Sequence, residues 1–238
     1  FSNYLGSSIS LPDTIKTFGK GAFANCSSLN NFTIPKSVAK IGEWAFSNFK
    51  GNVNFAQDTQ ITAIDAYSFE NYKGTSIIIP ESVTSIDTYA FSSSNNLTQI
   101  IIPENVTSIN SYAFYNCTSL ENIFLSESIT SIGSYVFYNC SNLSEITIPK
   151  NVVSIGTNVF SNVSAKVNFA ENSTISSIGS GSFSHYKGEE ITLPESINAI
   201  SSSAFYSCTN LLRINLPQSL INIGDRAFYN CTSLVEML

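Results

Sequence analysis

The chain has 238 residues, of which 43% are hydrophobic, 12% aromatic and only 12% charged. This composition predicts a folded protein with a large core and argues against intrinsic disorder. The net charge is −6 and the 11 Lys and Arg residues form no basic cluster, so nucleic acid is not expected as a partner. No apolar run approaches the ~20 residues of a transmembrane helix, so this segment is not expected to insert into a membrane.

Phenylalanine recurs along the whole chain in steps of 22 or 23 residues. These landmark phenylalanines are Phe1, Phe23, Phe46, Phe69, Phe91, Phe114, Phe137, Phe160, Phe183, Phe205 and Phe228. Such a period indicates a solenoid, in which each repeat forms one coil and stacks on its neighbours. The segments 46–80 and 160–194 are copies of one variant two-repeat unit, 114 residues apart, which indicates a duplication of five repeats.

Each standard repeat begins with a short apolar alternation. In the segment 97–103, LTQIIIP, the inward residues Ile100 and Ile102 alternate with outward ones until a proline ends the run. This pattern predicts one short strand per repeat. Further along, Phe114 and Cys117 have a spacing that suits one inward-facing turn of α- or 3₁₀-helix. Stacking should then place phenylalanine on phenylalanine and cysteine on cysteine.

The pattern L-x-x-I-x-I-P followed by V-x-x-I-G-x-x-A-F-x-x-C-x-x-L, at a period of 23 residues, resembles the BspA-like (treponemal-type) leucine-rich repeats from end to end of the chain. The resemblance implies a right-handed, curved array of about ten coils of 22–23 residues. It also implies a parallel β-sheet on the concave face, with short strands, turns or 3₁₀-helix on the convex side. Asn105 holds the position of the ladder asparagine, but its equivalents are mostly serine, so no continuous asparagine ladder is expected.

The repeats run without a break over residues 1–238, which predicts a single leucine-rich repeat domain. The chain starts at Phe1 without an initiator Met and ends in an unfinished strand, so we expect a fragment of a longer array. Terminal coils without polar caps should expose core residues and an open strand edge. Weak end-to-end self-association is therefore expected.

The five cysteines all lie three residues after a landmark phenylalanine, at Cys26, Cys117, Cys140, Cys208 and Cys231. Other repeats carry a large apolar residue at this position, namely Phe49, Tyr72, Val163 and Tyr186, which is typical of a packing site. We therefore predict buried free thiols. The alternative is a disulfide between neighbouring coils, Cys117–Cys140 or Cys208–Cys231. A metal site is disfavoured because the chain has no C-x-x-C motif and a single histidine.

The single histidine, His185, stands two residues after a landmark phenylalanine, where other repeats carry Asn or Ser. This equivalence favours a surface loop residue over a general base. The chain has no nucleophile elbow, no phosphate-binding Gly-rich loop and no paired carboxylates. We predict a protein without catalytic activity, and expect no cofactor or metal.

On each strand, the residue two before the proline position should point away from the core. This column reads Thr33, Ile78, Ile101, Phe124, Thr147, Thr192 and Asn215, so its middle is apolar. An apolar centre on a polar face indicates a protein-binding surface. Its candidate residues, including those two positions further back, are Ile78, Ile101, Phe124, Gln99, Asn122 and Glu145. The alternative is that β-branched residues simply favour exposed sheet positions.

A second set of outward side chains lies in the turns. Tyr89, Tyr112 and Tyr135 precede their landmark phenylalanines by two residues, and Tyr115 and Tyr138 follow theirs by one. Members of a pair three residues apart should project together. Amphipathic aromatic residues are favoured at recognition surfaces. The alternative is that these tyrosines only seal the edge of the core.

Two classes of function remain. The resemblance implies microbial cell-surface or secreted proteins that are associated with adhesion to host cells or extracellular matrix glycoproteins. We therefore expect a non-catalytic binding module with a protein or glycoprotein ligand. The alternative is a structural spacer or self-associating array without a specific host ligand. Reduced thiols would also suit a cytoplasmic location.

Overall fold

The computed structural model describes all residues 1–238 and consists of short strands and turns, without a helix. In chain order the strands are β1 (Thr17–Phe18), β2 (Asn31–Ile34), β3 (Lys40–Ile41), β4 (Asn52–Phe55), β5 (Ala63–Ile64), β6 (Ser85–Ile86), β7 (Gln99–Ile101), β8 (Ser108–Ile109), β9 (Asn122–Phe124), β10 (Ser131–Ile132), β11 (Glu145–Ile148), β12 (Ser154–Ile155), β13 (Lys166–Phe169), β14 (Ser177–Ile178), β15 (Glu190–Thr192), β16 (Ala199–Ile200), β17 (Arg213–Asn215), β18 (Asn222–Ile223) and β19 (Glu236–Met237).

The strands line two faces of the solenoid, and on each face they form three parallel sheets in succession. The long-strand face consists of β2, β4, β7, β9, β11, β13, β15, β17 and β19, and the short-strand face consists of the remaining two-residue strands. Each strand residue pairs with its equivalent in the next coil, as Ile100 does with Ile123 and Ile109 with Ile132. The predicted parallel solenoid of about ten coils is thereby confirmed.

The short-strand face confirms the short convex strands that the resemblance implies, and adds a second strand to the one per repeat predicted from apolar alternation. Its strands are two residues long, which is too short for an alternation of apolar and polar residues to show in the sequence. They are defined by bonds between coils: the amide of Thr107 donates to the carbonyl of Thr84 at 3.0 Å, and the amide of Asn110 donates to the carbonyl of Ile86 at 2.9 Å. Each coil is thus held to its neighbours on two sides.

The predicted helical turn around Phe114 does not form. Within the coil, alternate amides make i→i−3 turn bonds, for example from Tyr115 to Tyr112 at 3.0 Å. The amides between them bond to the next coil instead, as from Tyr112 to Ser134 at 2.8 Å and from Asn116 to Tyr138 at 2.8 Å. Because stacking gives every second amide a partner outside its own coil, a helix has no advantage here.

The turn needs left-handed backbone at two fixed positions. Tyr112 and Asn116 have φ of 62° and 59°, and the equivalent residues of the other coils are also positive. Asparagine enters this region more easily than most residues, which accounts for its recurrence two residues after the landmark phenylalanine. The residues at that position are Asn3, Asn25, Asn48, Asn71, Ser93, Asn116, Asn139, Asn162, His185, Ser207 and Asn230.

The landmark phenylalanines form one continuous stack through a core of 61 buried residues. The eleven rings lie 5.1–5.9 Å apart, centroid to centroid, with interplanar angles of 26° or less. Ala113, Phe114 and Cys117 all face inward and are fully buried, as the repeat pattern predicts. At the ends of the array, Phe1 and Leu238 are exposed.

The cysteines form a column inside this core. Four of them are buried and Cys231 is half-buried, which confirms the packing role predicted from the repeat. All five are free thiols in the structure. Each thiol also donates a hydrogen bond to the carbonyl of the landmark phenylalanine of the preceding coil, as from Cys117 to Phe91 at 3.1 Å.

Candidate binding surfaces

The apolar residues predicted on the long-strand face do point outward. Ile78 is 84% exposed, Ile101 67% and Phe124 63%, whereas the flanking Ile100 and Ile102 are buried. Ile101 pairs directly with Phe124 across β7 and β9. A bridge between Ser76 and Gln99 sets Ile78 in the coil beside Ile101. The three side chains therefore form one apolar column across three adjacent coils.

A polar column runs beside the apolar one. Gln99 pairs with Asn122, and Asn122 pairs with Glu145, so these three exposed side chains also stand in adjacent coils. Residues two apart on a strand share a face, which puts this column next to Ile101 and Phe124. The structure thus brings together the six residues predicted for this surface.

The same coils carry only negative charge, a feature that the search for motifs missed. Residues 74–149 contain no Lys, Arg or His, and their acidic residues are Glu81, Asp87, Glu104, Glu121, Glu127 and Glu145. The rest of the chain holds 11 acidic and 11 basic residues, since the totals are 17 and 11. The whole net charge of −6 therefore lies in these middle coils, which we call the acidic zone. A plot of charge along the sequence would have revealed it.

The turn tyrosines form a stack on the outside of the Phe column. Ring centroids are 4.7 Å apart from Trp44 to Tyr67, 4.8 Å from Tyr67 to Tyr89, 4.4 Å from Tyr89 to Tyr112 and 4.8 Å from Tyr112 to Tyr135. The rings are nearly parallel, with interplanar angles of 21° or less. We call these five side chains the aromatic stack.

A separate pair of tyrosine rings lies beside the aromatic stack. Tyr115 and Tyr138 are stacked at 5.1 Å, and each lies 5.7 Å from its partner in the same coil, Tyr112 or Tyr135. The predicted pairing of tyrosines three residues apart is therefore present. All of these rings are only partly exposed.

The stack offers ring edges and hydroxyls to a ligand, because its ring faces are occupied. Each internal ring is covered on both faces by its neighbours, and the free face of Trp44 is covered by the ammonium of Lys20, 4.2 Å from the ring centroid. The indole N–H of Trp44 donates to Glu70 at 3.0 Å. Burial, followed by the nearby phenols of Tyr112 and Tyr67, raises the pKa of Tyr89. Flat packing of a sugar or base on Trp44, Tyr67, Tyr89 or Tyr112 is therefore blocked.

Two equivalent grooves border the long-strand face, one in each copy of the variant two-repeat unit. The first is lined by residues 54–59, Ile78 and 80–82, and the second includes the matching residues 168–173, Thr192 and 194–196. The first groove reaches the apolar column at Ile78 and contains Glu81. The 114-residue spacing of the variant repeats was the signal from which paired grooves could have been inferred.

The repeat sequence identifies the family. The profile of the BspA type leucine rich repeat region matches in 6 copies, over residues 1–74, 62–187 and 165–238. The chain belongs to the BspA-type leucine-rich repeat family. A comparison with curated protein sequences gave no match.

Solved leucine-rich repeat structures are similar along most of the chain. A leucine rich cell surface protein from Faecalibacterium prausnitzii A2-165 is 26% identical, with 95% of this chain and 77% of that one covered and a TM-score of 0.46. The T. pallidum leucine rich repeat protein TpLRR is 23% identical, covering 76% and 75%, with a TM-score of 0.55. The pneumococcal vaccine antigen PcpA is 21% identical, covering 87% and 60%, with a TM-score of 0.56. The last two likenesses show the fold.

This BspA-type array has a mixed ladder in place of a continuous asparagine ladder, as expected. Ser37 and Ser82 donate to carbonyls of the preceding coil at 2.7 Å each. Asn105 and Asn151 do the same at 2.7 and 2.8 Å. Serine bonds to the carbonyl of an apolar residue, Ile15 or Ile61, whereas asparagine bonds to that of a glutamate, Glu81 or Glu127. The two residue types therefore tie neighbouring coils together through different backbone groups.

His185 is one of the left-handed turn residues of the BspA-type repeat, with φ of 56° and an exposed side chain. Its ring meets only Tyr206 edge-on, with centroids 5.9 Å apart. No group of three His, Cys, Asp or Glu residues is arranged to hold a metal ion. The array also contains no helix that could span a membrane. What the array does offer is an extended set of stacked side-chain columns, the kind of surface with which repeat solenoids bind proteins.

Proposed function

We propose that the chain is a non-catalytic protein-binding module of a microbial cell-surface or secreted protein, and that it attaches to host-cell or matrix glycoproteins through its long-strand face. The observation that carries the proposal is the exposed apolar column of Ile78, Ile101 and Phe124. Membership of the BspA-type family supports a protein-binding role and a location outside the cytoplasm. Residues 1–238 would act as one repeat domain built on one continuous core.

The fold itself does not need apolar residues in this column. At the same position other coils carry Thr33, Thr147, Thr192 and Asn215, all of them exposed. Burying an exposed Ile or Phe side chain contributes about 1.5–3 kcal/mol, so three adjacent ones are a substantial source of binding energy. Gln99, Asn122 and Glu145 would form the polar rim that excludes water from such a contact.

The test uses substitutions that the chain already tolerates elsewhere. The double variant Ile101→Thr, Phe124→Thr gives this column the residue found at Thr147 and Thr192, so the fold should persist. Binding to immobilised matrix glycoproteins and to host cells should fall at least about tenfold, because two buried apolar contacts are lost. Retained binding in a variant with a wild-type melting curve would overturn the proposal.

A matched control removes an exposed apolar residue from the other face. Val153 is 56% exposed and follows Thr84, Thr107 and Thr130 in one column of the short-strand face. Val153→Thr should leave glycoprotein binding unchanged. Light scattering of the same samples separates adhesion from the alternative of a self-associating array, because a spacer without a host ligand would self-associate and bind no glycoprotein.

The tyrosines Tyr89, Tyr112, Tyr115, Tyr135 and Tyr138 form a second candidate surface through their ring edges. The double variant Tyr115→Phe, Tyr138→Phe keeps the rings and removes two hydroxyls. Weaker glycoprotein binding at unchanged stability would assign them to the interface, whereas unchanged binding would leave them with the role of sealing the core edge. Labelling of intact cells by antibody would test the surface location.

A further inference from the structure

The acidic zone and the apolar column occupy the same coils. Ile78, Ile101 and Phe124 lie between residues 74 and 149, where there is no basic residue. Four of the six carboxylates there accept no side-chain hydrogen bond; the other two are Glu145, which accepts from Asn168 at 2.6 Å, and Asp87, which accepts from Asn110 at 3.0 Å. The three salt bridges of the protein all lie outside the zone.

Three of these carboxylates follow the apolar column from coil to coil. Glu81, Glu104 and Glu127 are exposed and each stands three residues after Ile78, Ile101 or Phe124. Ile78 and Glu81 line the same groove, which places the two columns on one surface. On the other side of the apolar column, Glu145 ends the polar column. A partner that covers the apolar side chains must therefore meet a row of carboxylates on one flank and Glu145 at the end of the other.

The spacing of the anchors favours a helical partner. Neighbouring strands lie ~4.8 Å apart, so three adjacent coils place their anchors over about 9.6 Å along the solenoid. Apolar residues at i, i+4 and i+7 of an α-helix span about 10.5 Å. In an extended strand, the residues i, i+2 and i+4 of one face would span about 13 Å.

We infer that the long-strand face of the acidic zone binds a basic amphipathic helix of a partner protein, laid along the solenoid axis. Its apolar stripe covers Ile78, Ile101 and Phe124, and its Lys or Arg side chains on the two flanks meet Glu81, Glu104, Glu127 and Glu145. This inference rests on the proposed function and adds the chemistry of the partner. Opposite charges on the two surfaces speed association and reject acidic partners.

The test measures binding of four 15-residue model peptides by fluorescence anisotropy. The first has leucines at positions 4, 8 and 11 with lysines on the flanks and alanines elsewhere. The second replaces its lysines by glutamates, the third moves the leucines to the strand pattern 6, 8 and 10, and the fourth replaces the leucines by alanine. The first peptide should bind at least about tenfold more tightly than each of the others, and its affinity should fall between 50 and 500 mM salt.

Protein variants identify where the peptide sits. Lys36 and Lys150 occupy the position of Glu104 and Glu127 in other coils, so Glu104→Lys with Glu127→Lys should fold normally. This variant and Ile101→Thr with Phe124→Thr should each weaken the first peptide about tenfold. The control makes the same charge change outside the zone, at Glu171 and Glu195, and should bind like the wild type.

Each remaining outcome decides against the inference. It is wrong if the glutamate peptide binds as well as the lysine peptide, if the strand-patterned peptide binds best, or if the zone variants bind like the control. If the peptides fail while glycoprotein binding is still lost in Ile101→Thr with Phe124→Thr, the partner chemistry is wrong and the proposed function stands. If that variant keeps glycoprotein binding, the proposed function itself fails.

Discussion

The thiol of Cys140 donates a hydrogen bond to the backbone carbonyl of Phe114, 3.2 Å away in the preceding coil. The other four cysteines repeat this contact with the landmark phenylalanine one coil earlier. In the coil of Phe91, where serine takes the cysteine position, Ser94 donates to the carbonyl of Phe69 at 3.0 Å. In the coils with cysteine or serine, this position therefore supplies a hydrogen-bond donor as well as filling space in the core.

Replacing Cys140 by serine should be tolerated far better than replacing it by alanine. Serine keeps the donor, as Ser94 does, so the free energy of unfolding of Cys140→Ser should lie within about 1 kcal/mol of wild type. Cys140→Ala loses the bond and leaves a small cavity, and should cost about 1–2 kcal/mol. Urea unfolding of the two variants checks this, and equal losses would show that the hydrogen bond contributes nothing.

The thiols should differ in reactivity along the column. Burial raises the pKa of Cys117 to about 12 and raises that of Cys140 as well. The neighbouring thiol of Cys208 lowers the pKa of the half-buried Cys231 to about 7. Because the thiolate is the reactive form, a thiol reagent at pH 8 should modify Cys231 first and the others only after denaturation.

Mass spectrometry of protein prepared without oxidant tests the same assignment. All five cysteines should be recovered as free thiols. A Cys117–Cys140 or Cys208–Cys231 disulfide would contradict the prediction, and so would rapid labelling of Cys117 in the folded protein.

Removing one landmark ring from the middle of the stack should be costly. Phe114→Ala opens a cavity between Phe91 and Phe137, whose ring centroids lie 5.4 and 5.9 Å from that of Phe114. The expected loss is about 3–5 kcal/mol in the free energy of unfolding. Tyr112→Ala is the matched control, since this ring is only partly buried and should cost less. A larger loss for Tyr112→Ala in thermal melts would contradict the assignment of faces.

The sequence predicted the parts of the fold that depend on which side chains face inward. The 22–23-residue period places Phe114 on Phe137 and Ile100 on Ile123, and alternation within a strand exposes Ile101. It could not predict backbone geometry that depends on the neighbouring coil. The amide of Tyr112 bonds to the carbonyl of Ser134, 22 positions further along the chain. The left-handed conformation of Tyr112 accompanies this bond between coils.

For the same reason, the sequence predicted which side chains of the candidate surfaces point outward. Periodicity located Ile101 and Phe124 on one face, because one register fixes a whole column. The covered ring faces of the aromatic stack were missed, since whether tyrosines stack or splay depends on the backbone of the turn. Glu104 and Glu127 were missed because a single charged residue carries no periodic signal. Only the alignment of several such residues in adjacent coils indicates a charged surface.

Two buried tyrosines replace the cysteine in the variant units. The hydroxyl of Tyr72 accepts a hydrogen bond from the amide of Val53 at 2.9 Å, and that of Tyr186 donates to the carbonyl of Ala165 at 2.7 Å. A Cβ at Gly74 would collide with the ring of Tyr72, which explains the Tyr-Lys-Gly sequence. Burial raises the pKa of each phenol to about 12.

Alkaline pH should destabilise the protein through these two phenols. In the unfolded chain a tyrosine loses its proton near pH 10, whereas Tyr72 and Tyr186 keep theirs to about pH 12 when folded. The stabilisation is therefore complete below pH 10 and is lost as the pH rises towards 12, by roughly 2–3 kcal/mol for each tyrosine. The double variant Tyr72→Phe, Tyr186→Phe should cost about 1 kcal/mol per lost hydrogen bond at pH 7 and show a shallower alkaline decline. Phe49, which occupies the same position in its own coil, indicates that the variant folds. Urea unfolding at pH 8, 10 and 11.5 measures both curves, and because the buried thiols titrate alike in both proteins, parallel declines would mean that the tyrosines are not the groups responsible.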